Sequence, residues 1–224
     1  MNKDLITILN VADRPKQNDL FRKMKFKEDQ LEAIRTIYNK YFASIVPTEY
    51  NGSSVACSWK SGFTYKMGEG DDIFHAIAGV NVKEANKDPL WNNHFSDILD
   101  IMNLDGNVSI IPPGGIMLPH VDRAWRPCAI YFPIEGCSEE CVSEFYHLPP
   151  RTSENSQTFP DTDIEPIYSY AVNTHAYLQN VHQWHGVKNK SNRTRIAFGW
   201  NTVGEPQLPY NKLVKIFTQL GYIE

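Results

Sequence analysis

Three residues of the chain have side chains and spacing suited to holding a metal ion. His120 and Asp122 are separated by one residue, and His185 follows further along the chain. Two imidazoles and one carboxylate can occupy one face of an octahedral iron(II) ion and leave three positions open for a bidentate organic ligand and dioxygen. A closed set of four protein ligands would instead be typical of a structural ion. The pattern therefore predicts a catalytic metal site.

A second histidine competes with His185 for this role. His182 precedes it by three positions, and on one strand two residues so spaced would face opposite sides. At most one of them could then be a ligand. His185 is followed by Gly186, which leaves room beside a crowded ion. The sequence favours His185 and leaves His182 as the alternative.

Arg195 lies ten positions after His185 and opens the apolar run Ile196–Trp200. A charge that enters a buried strand must find an anion or point outward. A planar guanidinium suits a carboxylate because it donates two parallel hydrogen bonds. Arg195 is therefore predicted to hold the far carboxylate of an organic co-substrate. Arg193 has the same strand parity and remains the rival, although we expect it in a turn.

The half of the chain that carries these residues is predicted to be β-rich. Short runs of β-branched and aromatic residues alternate there with Gly, Pro, Asn and Asp. Residues i and i+2 of a strand share a face, so His120 and Asp122 can point into one cavity. Eight short strands at this spacing predict a double-sheeted jelly roll or a barrel. The predicted strands are 107–111, 116–121, 128–134, 142–148, 166–173, 176–180, 184–188 and 195–202.

Three helices are predicted to flank these strands. Apolar residues recur at helical spacing from Leu31 to Ile45, and Pro47 ends that segment. A second helix is predicted over 89–102, with Asp88 as its cap. The third is predicted near the C-terminus, from Tyr210 to an end at Gly221.

Two further segments have less regular patterns. The runs 55–59 and 73–80 are predicted to extend one sheet. The stretch 149–166 contains four prolines and is long for a loop, which predicts a lid or a mobile insertion.

Length and composition fit one domain with an ordinary core. The 224 residues are 42% hydrophobic and 21% charged. We expect a mainly helical and sheet-extending part at 1–104, a jelly-roll core at 105–202 and a C-terminal helix at 203–224. The net charge of −4 favours neither nucleic acid nor an anionic membrane as a partner. Four cysteines in this length suggest free thiols in a reducing cytoplasm, and no stretch is long and apolar enough for a membrane helix.

A family resemblance rests on the run from Pro112 to Asp122 (PPGGIMLPHVD), the run from His185 to Asn189 (HGVKN), and Arg195. Together they resemble the iron(II)/2-oxoglutarate-dependent oxygenases, most closely the aspartyl/asparaginyl β-hydroxylase-like and small phage or bacterial members. The resemblance covers about residues 105–202. Its most specific element is the interval between the distal histidine and the arginine.

The resemblance implies a double-stranded β-helix (a cupin-like jelly roll) in which His120, Asp122 and His185 hold iron(II). It implies that Arg195 binds the C5 carboxylate of 2-oxoglutarate, with Ser109 and Tyr131 as further polar groups of that site. The reaction would use dioxygen, usually to hydroxylate a small molecule or a peptide or protein side chain, and would release succinate and carbon dioxide. Some β-hydroxylase relatives lack the carboxylate ligand that this chain has at Asp122, so an aspartyl or asparaginyl substrate does not follow.

Two other interpretations of the same residues remain. A cupin-like metalloenzyme could use this metal site without 2-oxoglutarate, as isomerases and some dioxygenases do. A non-enzymatic jelly-roll binding module could carry the histidines incidentally. Only the oxygenase requires Arg195 to bind 2-oxoglutarate, which distinguishes it from the first alternative. The second alternative predicts no metal binding at these residues.

Overall fold

Two antiparallel sheets pack face to face, and the helices cover the outer side of the larger sheet. The structure is a computed structural model. It describes residues 14–45, 63–66, 75–78, 84–99, 101, 103–122, 126–150, 152, 157–159, 164–203 and 208–224.

The described elements follow one another along the chain as short strands with three α-helices. Their bounds are β1 Phe21–Met24, α1 Glu28–Tyr41, β2 Phe63–Lys66, β3 His75–Ala78, α2 Pro89–Leu99, β4 Asn103–Ile111, β5 Ile116–Val121, β6 Cys128–Glu135, β7 Cys141–Phe145, β8 Gln157–Thr158, β9 Tyr168–Ala171, β10 Ala176–Asn180, β11 His185–Asn189, β12 Arg195–Val203 and α3 Tyr210–Gln219. Short 3₁₀ turns lie at Gln17–Asp19 and Ala43–Ile45.

The strand order is that of a jelly roll. The seven-stranded sheet runs β1-β10-β6-β12-β4-β3-β2, and the five-stranded sheet runs β8-β5-β11-β7-β9. All pairings are antiparallel. From β4 to β7 and from β9 to β12 consecutive strands alternate between the two sheets, whereas β7, β8 and β9 all belong to the smaller one. The predicted fold class, mostly β with flanking helices in a double-stranded β-helix, is confirmed.

All eight predicted strands are present, with ends that differ by a few residues. The largest differences are β4, which begins at Asn103 and not at 107, and β7, which ends at Phe145 and not at 148. The prediction lacked β1, β2 and β8, because strands of four, four and two residues are too short for a period to be recognised.

The predicted helices are also present, and their caps explain their bounds. The Asp88 Oδ1 atom accepts a hydrogen bond from the Leu90 amide at 3.0 Å, so Asp88 caps α2 as expected. The helix ends at Leu99, before the predicted 102, and has non-helical angles at Phe95. After α3, Gly221 adopts a φ of +81°, and the Tyr222 amide donates to the Phe217 carbonyl at 2.8 Å.

The main core lies between the helices and the outer face of the seven-stranded sheet. Trp200 is fully buried there, with ring centroids 4.8 Å from Trp91, 4.9 Å from Phe95 and 5.0 Å from Phe132. Alternate residues of β12 point into this core, and the residues between them face the other sheet. The strand β12 therefore contributes side chains both to the core under the helices and to the space between the two sheets.

Part of the proline-rich stretch 149–166 is strand and not loop. In β8, Thr158 pairs with His120 and Gln157 pairs with Val121. The Phe159 amide donates to the Pro119 carbonyl at 2.7 Å, and its ring packs in a small cluster with Tyr146 and Leu148. This stretch thus extends the sheet beside the strand that carries His120. Whether it moves as a lid stays a prediction.

The remaining expectations concern the early strands, the cysteines and the membrane. The strand β3 falls within the predicted run 73–80 and pairs with β4, whereas residues 55–59 lie outside the described residues. Cys128, Cys137 and Cys141 are free thiols. Among the described helices, none combines the length and the apolar character that a bilayer span requires.

Candidate metal centre

The pairing of β5 with β11 brings two of the predicted ligands side by side. His185 lies directly opposite His120, and their ring centroids are 4.2 Å apart. Asp122 follows the last residue of β5, and its amide donates to the Val181 carbonyl at 3.0 Å. One ligand atom from each of the three residues lies within 4.8 Å of the other two, and all three residues are buried. In the described part of the chain this is the one such group.

Main-chain carbonyls orient both imidazoles. The His120 Nδ1 atom is 2.8 Å from the Leu118 carbonyl oxygen, and the His185 Nδ1 atom is 2.8 Å from the Gln183 carbonyl oxygen. A carbonyl oxygen only accepts, so each Nδ1 carries the proton and donates it. In the neutral imidazole the Nε2 atom then has a free lone pair, which is the form that a metal ion needs.

The protonation states of the site suit a divalent cation. Burial, followed by the neighbouring His120 ring, lowers the pKa of His185 to about 3, so this imidazole is neutral at pH 7. Burial raises the pKa of Asp122, but the positive charge of Arg126 and the nearby imidazoles outweigh it, and the net pKa is lowered. The site therefore offers a neutral nitrogen and an ionised carboxylate.

The ligand atoms would have to move closer together to bind one ion. The His120 Nε2 atom is 3.8 Å from the Asp122 Oδ1 atom. An ion bound at about 2.1 Å to each ligand holds neighbouring donor atoms roughly 3 Å apart. The His185 Nε2 atom is buried and has no hydrogen-bond partner in the described structure. A buried imidazole nitrogen without a partner is the acceptor that a bound cation would satisfy.

A cavity between the two sheets begins at the metal group. About 240 Å³ in and around it, open solvent included, is not filled by atoms, and its apolar lining comes from Met117 and Val187. Its polar lining comes from both sheets, with His185 and Ser143 on the smaller one. The residues contributed by the larger sheet are Ser109, Tyr131, Gln179 and Arg195.

Arg195 enters this cavity as a buried cation. Only 2% of the residue is exposed, and its Nε atom is buried without a hydrogen-bond partner. Among the described residues, no carboxylate forms an ion pair with it. Because a buried charge is costly unless it is paired, this guanidinium is suited to bind an anion in the cavity.

The structure brings Ser109 and Tyr131 to the same cavity as Arg195. Tyr131 lies opposite Gly199, whose missing side chain makes room for it: a Cβ there would be 2.9 Å from the Tyr131 Cε1 atom and 2.5 Å from the Asn107 Oδ1 atom. The Asn107 Oδ1 atom is buried and has no hydrogen-bond partner in the described structure. Sequence reasoning missed Asn107, although it stands two positions before Ser109 and therefore shares its face.

The two rival residues lie elsewhere. His182 occupies the turn before β11 and is not part of the group of three. The parity argument against it assumed that both histidines lay on one strand, which is wrong. Arg193 is exposed in the bend before β12, as expected. Gly186 is indeed needed, but for a different reason: a Cβ there would lie 2.7 Å from the Met117 carbonyl oxygen of the adjacent strand.

The contacts that Arg126 makes with Asp122 and Asn201 were not predicted from the sequence. The Arg126 Nε atom is 3.5 Å from the Asp122 Oδ2 atom, and the Arg126 guanidinium donates to the Asn201 Oδ1 atom. Arg126 could have been noticed because it follows Asp122 by four positions. No local pattern connects either residue to Asn201, which comes from a distant strand.

Comparisons with solved structures show the fold. The chain is similar to the non-heme alpha ketoglutarate dependent carbocyclase SnoK from nogalamycin biosynthesis, at 14% identity and a TM-score of 0.50, over 90% of this chain and 83% of that one. It is less similar to the epimerase SnoN, solved with Fe³⁺, alpha ketoglutarate and nogalamycin RO, at 10% identity and a TM-score of 0.47, over 82% of this chain and 77% of that one.

A further similarity, to ycfD of E. coli, has 13% identity and a TM-score of 0.43 over 65% of this chain, which spans 37% of the length of ycfD. No family model and no curated protein sequence matches the chain. At these identities the likeness to SnoK concerns the arrangement of strands. The double-stranded β-helix is thus shared with SnoK, and the residues of this chain must carry any argument about its chemistry.

Proposed function

We propose that the protein is an iron(II)- and 2-oxoglutarate-dependent dioxygenase that oxidises, most simply by hydroxylation, an organic substrate. The observation that carries the proposal is the convergence of His120, Asp122 and His185 at one end of the cavity that Arg195 enters. A five-carbon diacid with a keto group needs a metal at one end and a cation at the other. The SnoK fold, found in an enzyme named as alpha ketoglutarate dependent, supports this assignment.

In this proposal each part of the site has a defined task. The two Nε2 atoms and the Asp122 carboxylate bind iron(II) on one face. Arg195 binds the C5 carboxylate of 2-oxoglutarate, and Ser109 and Tyr131 offer hydroxyls to it. Bound iron would supply the coupling of dioxygen reduction to the oxidative decarboxylation of 2-oxoglutarate, with succinate and carbon dioxide as products.

The chain itself would provide orientation and exclude water. The carbonyls of Leu118 and Gln183 hold the rings in the tautomer that binds metal. The narrow, buried cavity leaves little room for solvent around the co-substrate. Further expectations stay predictions: one domain over 1–224, a small-molecule or peptide substrate, and membership of the aspartyl/asparaginyl group.

Anaerobic titration of the metal-free protein with iron(II) and 2-oxoglutarate tests the proposal. We expect a weak visible charge-transfer band that needs both components. His185→Ala and Asp122→Ala should abolish the band, whereas His182→Ala, a matched change three positions away, should keep it. A band that persists in His185→Ala would contradict the ligand assignment.

The titration also separates the alternative functions. Iron binding without any effect of 2-oxoglutarate would favour a cupin-like enzyme that does not use this co-substrate. No iron binding at all would favour a binding module. If the band forms, succinate release measured against a panel of amino acids, peptides and nucleotides would then identify the substrate class.

A further inference from the structure

We propose that Arg126 is a positioning residue for Asp122. Its guanidinium, which also donates to Asn201, forms an ion pair with the Oδ2 atom of the carboxylate and leaves the Oδ1 atom toward His120. The inference rests on the proposed function, because it concerns the geometry of the same metal group. It adds a residue pair that connects one sheet to the other through the site.

The contacts distinguish the two carboxylate oxygens of Asp122. The Oδ1 atom lies 3.8 Å from the His120 Nε2 atom, on the side of the metal group. The Oδ2 atom lies 3.5 Å from the Arg126 Nε atom. An oxygen in an ion pair with a guanidinium is less able to become a second metal ligand. The arrangement therefore favours a carboxylate that binds through one oxygen and leaves the other positions on the ion open.

Asp122 needs such a support more than the two histidines do. Each imidazole is fixed by a carbonyl of its own chain segment, two residues earlier. Asp122 lies just beyond the last residue of β5, so the strand pairing does not extend to it. Arg126 supplies the orientation from four residues further along, and Asn201, buried in the larger sheet, anchors Arg126.

The positive charge of Arg126, taken alone, should weaken metal binding. A positive charge so close to a ligand oxygen repels a second cation and should weaken metal binding. Loss of the charge would then strengthen binding. Orientation acts in the opposite direction, because losing a residue that holds a metal ligand typically weakens metal affinity by about 10–100-fold. The direction of the change therefore decides between the two effects.

The test measures Co²⁺ binding to the metal-free protein by visible absorption, without co-substrate. Arg126→Met removes the charge, and Arg126→Lys keeps the charge but lacks the planar fork that reaches both partners. We expect both to weaken Co²⁺ affinity by about 10–100-fold and to change the Co²⁺ spectrum, since Oδ2 becomes free to coordinate. Asn201→Ala should cause a smaller loss. Arg193→Ala, which removes an exposed arginine near the opposite end of the cavity, should leave the affinity unchanged.

The outcomes separate this inference from the proposed function. Tighter binding in Arg126→Met together with unchanged binding in Arg126→Lys would overturn the positioning role and leave only a charge effect. If circular dichroism shows that Arg126→Met does not fold, the Co²⁺ affinities of Arg126→Lys and Asn201→Ala test the positioning role instead, and unchanged affinity in both would overturn it. Failure of the unaltered protein to bind Co²⁺ or iron(II) would instead overturn the metal site itself.

Discussion

The two faces of the seven-stranded sheet use the same strands for opposite purposes. On β12, Ile196, Phe198 and Trp200 point into the apolar core beneath the helices, whereas Arg195 and Asn201 point into the interior of the roll. The outer face buries aromatic rings against each other. The inner face buries a cation, hydroxyls and amides beside empty space. Alternation along one strand, and not the region of the chain, therefore separates the residues that build the apolar core from those that line the cavity.

Unpaired polar atoms alone do not distinguish the faces. The outer core also holds a buried nitrogen without a hydrogen-bond partner, the Trp200 Nε1 atom. The inner face differs because its unpaired groups include the Arg195 cation and the basic nitrogen of His185. An anion and a metal ion would satisfy these two groups, so bound ligands would stabilise the inner face more than the outer one.

The largest expected effect is on the outer face. Trp200→Ala removes a fully buried ring that contacts three other aromatic rings, and it should lower the free energy of unfolding by about 3–5 kcal/mol. Urea denaturation of the metal-free protein measures this loss. At a temperature where the variant remains folded, its Co²⁺ affinity should be unchanged. A loss below about 1 kcal/mol would show that the outer core is not the main source of stability.

On the inner face, Arg195→Met should weaken ligand binding without lowering the free energy of unfolding. Removing the predicted partner of a carboxylate should cost about 2–5 kcal/mol of binding free energy for 2-oxoglutarate. Stability without ligands should stay equal or rise, because a buried cation without an anion is replaced by an apolar side chain. Calorimetric titration measures the affinity, and Arg193→Met is the control. Equal 2-oxoglutarate affinity in the two variants would contradict the role of Arg195.

A smaller effect is expected where the inner face makes room for Tyr131. In Gly199→Ala the new methyl group would lie too close to the Asn107 Oδ1 and Tyr131 Cε1 atoms. We expect a loss of stability of about 1–3 kcal/mol from this overpacking, together with weaker 2-oxoglutarate binding. Adding Asn107→Ala should recover part of the stability. If the double variant is as unstable as the sum of the single ones, the two positions do not interact.

The smallest effect concerns the polar cap that holds the helical layer. Asp88→Ala removes the cap of α2 and should cost about 1 kcal/mol at pH 7. Asp88→Asn keeps a capping oxygen and should cost less. It also loses the ion pair with Lys40, but that lysine side chain is largely exposed, so the loss of the pair should be small. Urea denaturation of the three proteins measures both differences.

The same residue predicts a pH dependence. Hydrogen bonds from Lys40 and from the Leu90 amide lower the pKa of Asp88 in the folded protein, although burial opposes them. A carboxyl with a lowered folded pKa stabilises the fold above its unfolded pKa of about 3.9 and loses that contribution as the pH falls through the folded value. The difference between the unaltered protein and Asp88→Ala should therefore be constant near neutrality and shrink below about pH 4. A constant difference down to pH 2 would contradict this.

The sequence was informative where a residue's role depends on strand parity. Runs of β-branched and aromatic residues predicted eight strands, and the two-residue period placed His120 and Asp122 on one face. Arg193 and Arg195 share a parity, and only the expected turn at Arg193 separated them. These inferences need only local geometry, because each side chain points where its own strand directs it. The roles assigned to these residues in binding iron and 2-oxoglutarate remain predictions.

Features that depend on distant partners could not be predicted. The contact of Arg126 with Asn201 joins positions 75 residues apart. The direct pairing of His185 with His120 in one sheet depends on which strands become neighbours, which parity does not determine. The need for glycine at 186 comes from the backbone of β5, and the two residues of β8 have no recognisable period.

One consequence of the histidine geometry concerns which ion the protein would carry. Both rings are tied to carbonyls of their own segments and stand opposite each other in a strand pair, so the polypeptide sets their separation before any ion arrives. A chelator would then strip such a centre without collapsing the roll, and the emptied cage would readily accept cobalt, manganese or zinc in place of iron. If the protein is the proposed oxygenase, exchange of iron for another divalent ion would then inactivate it without unfolding it.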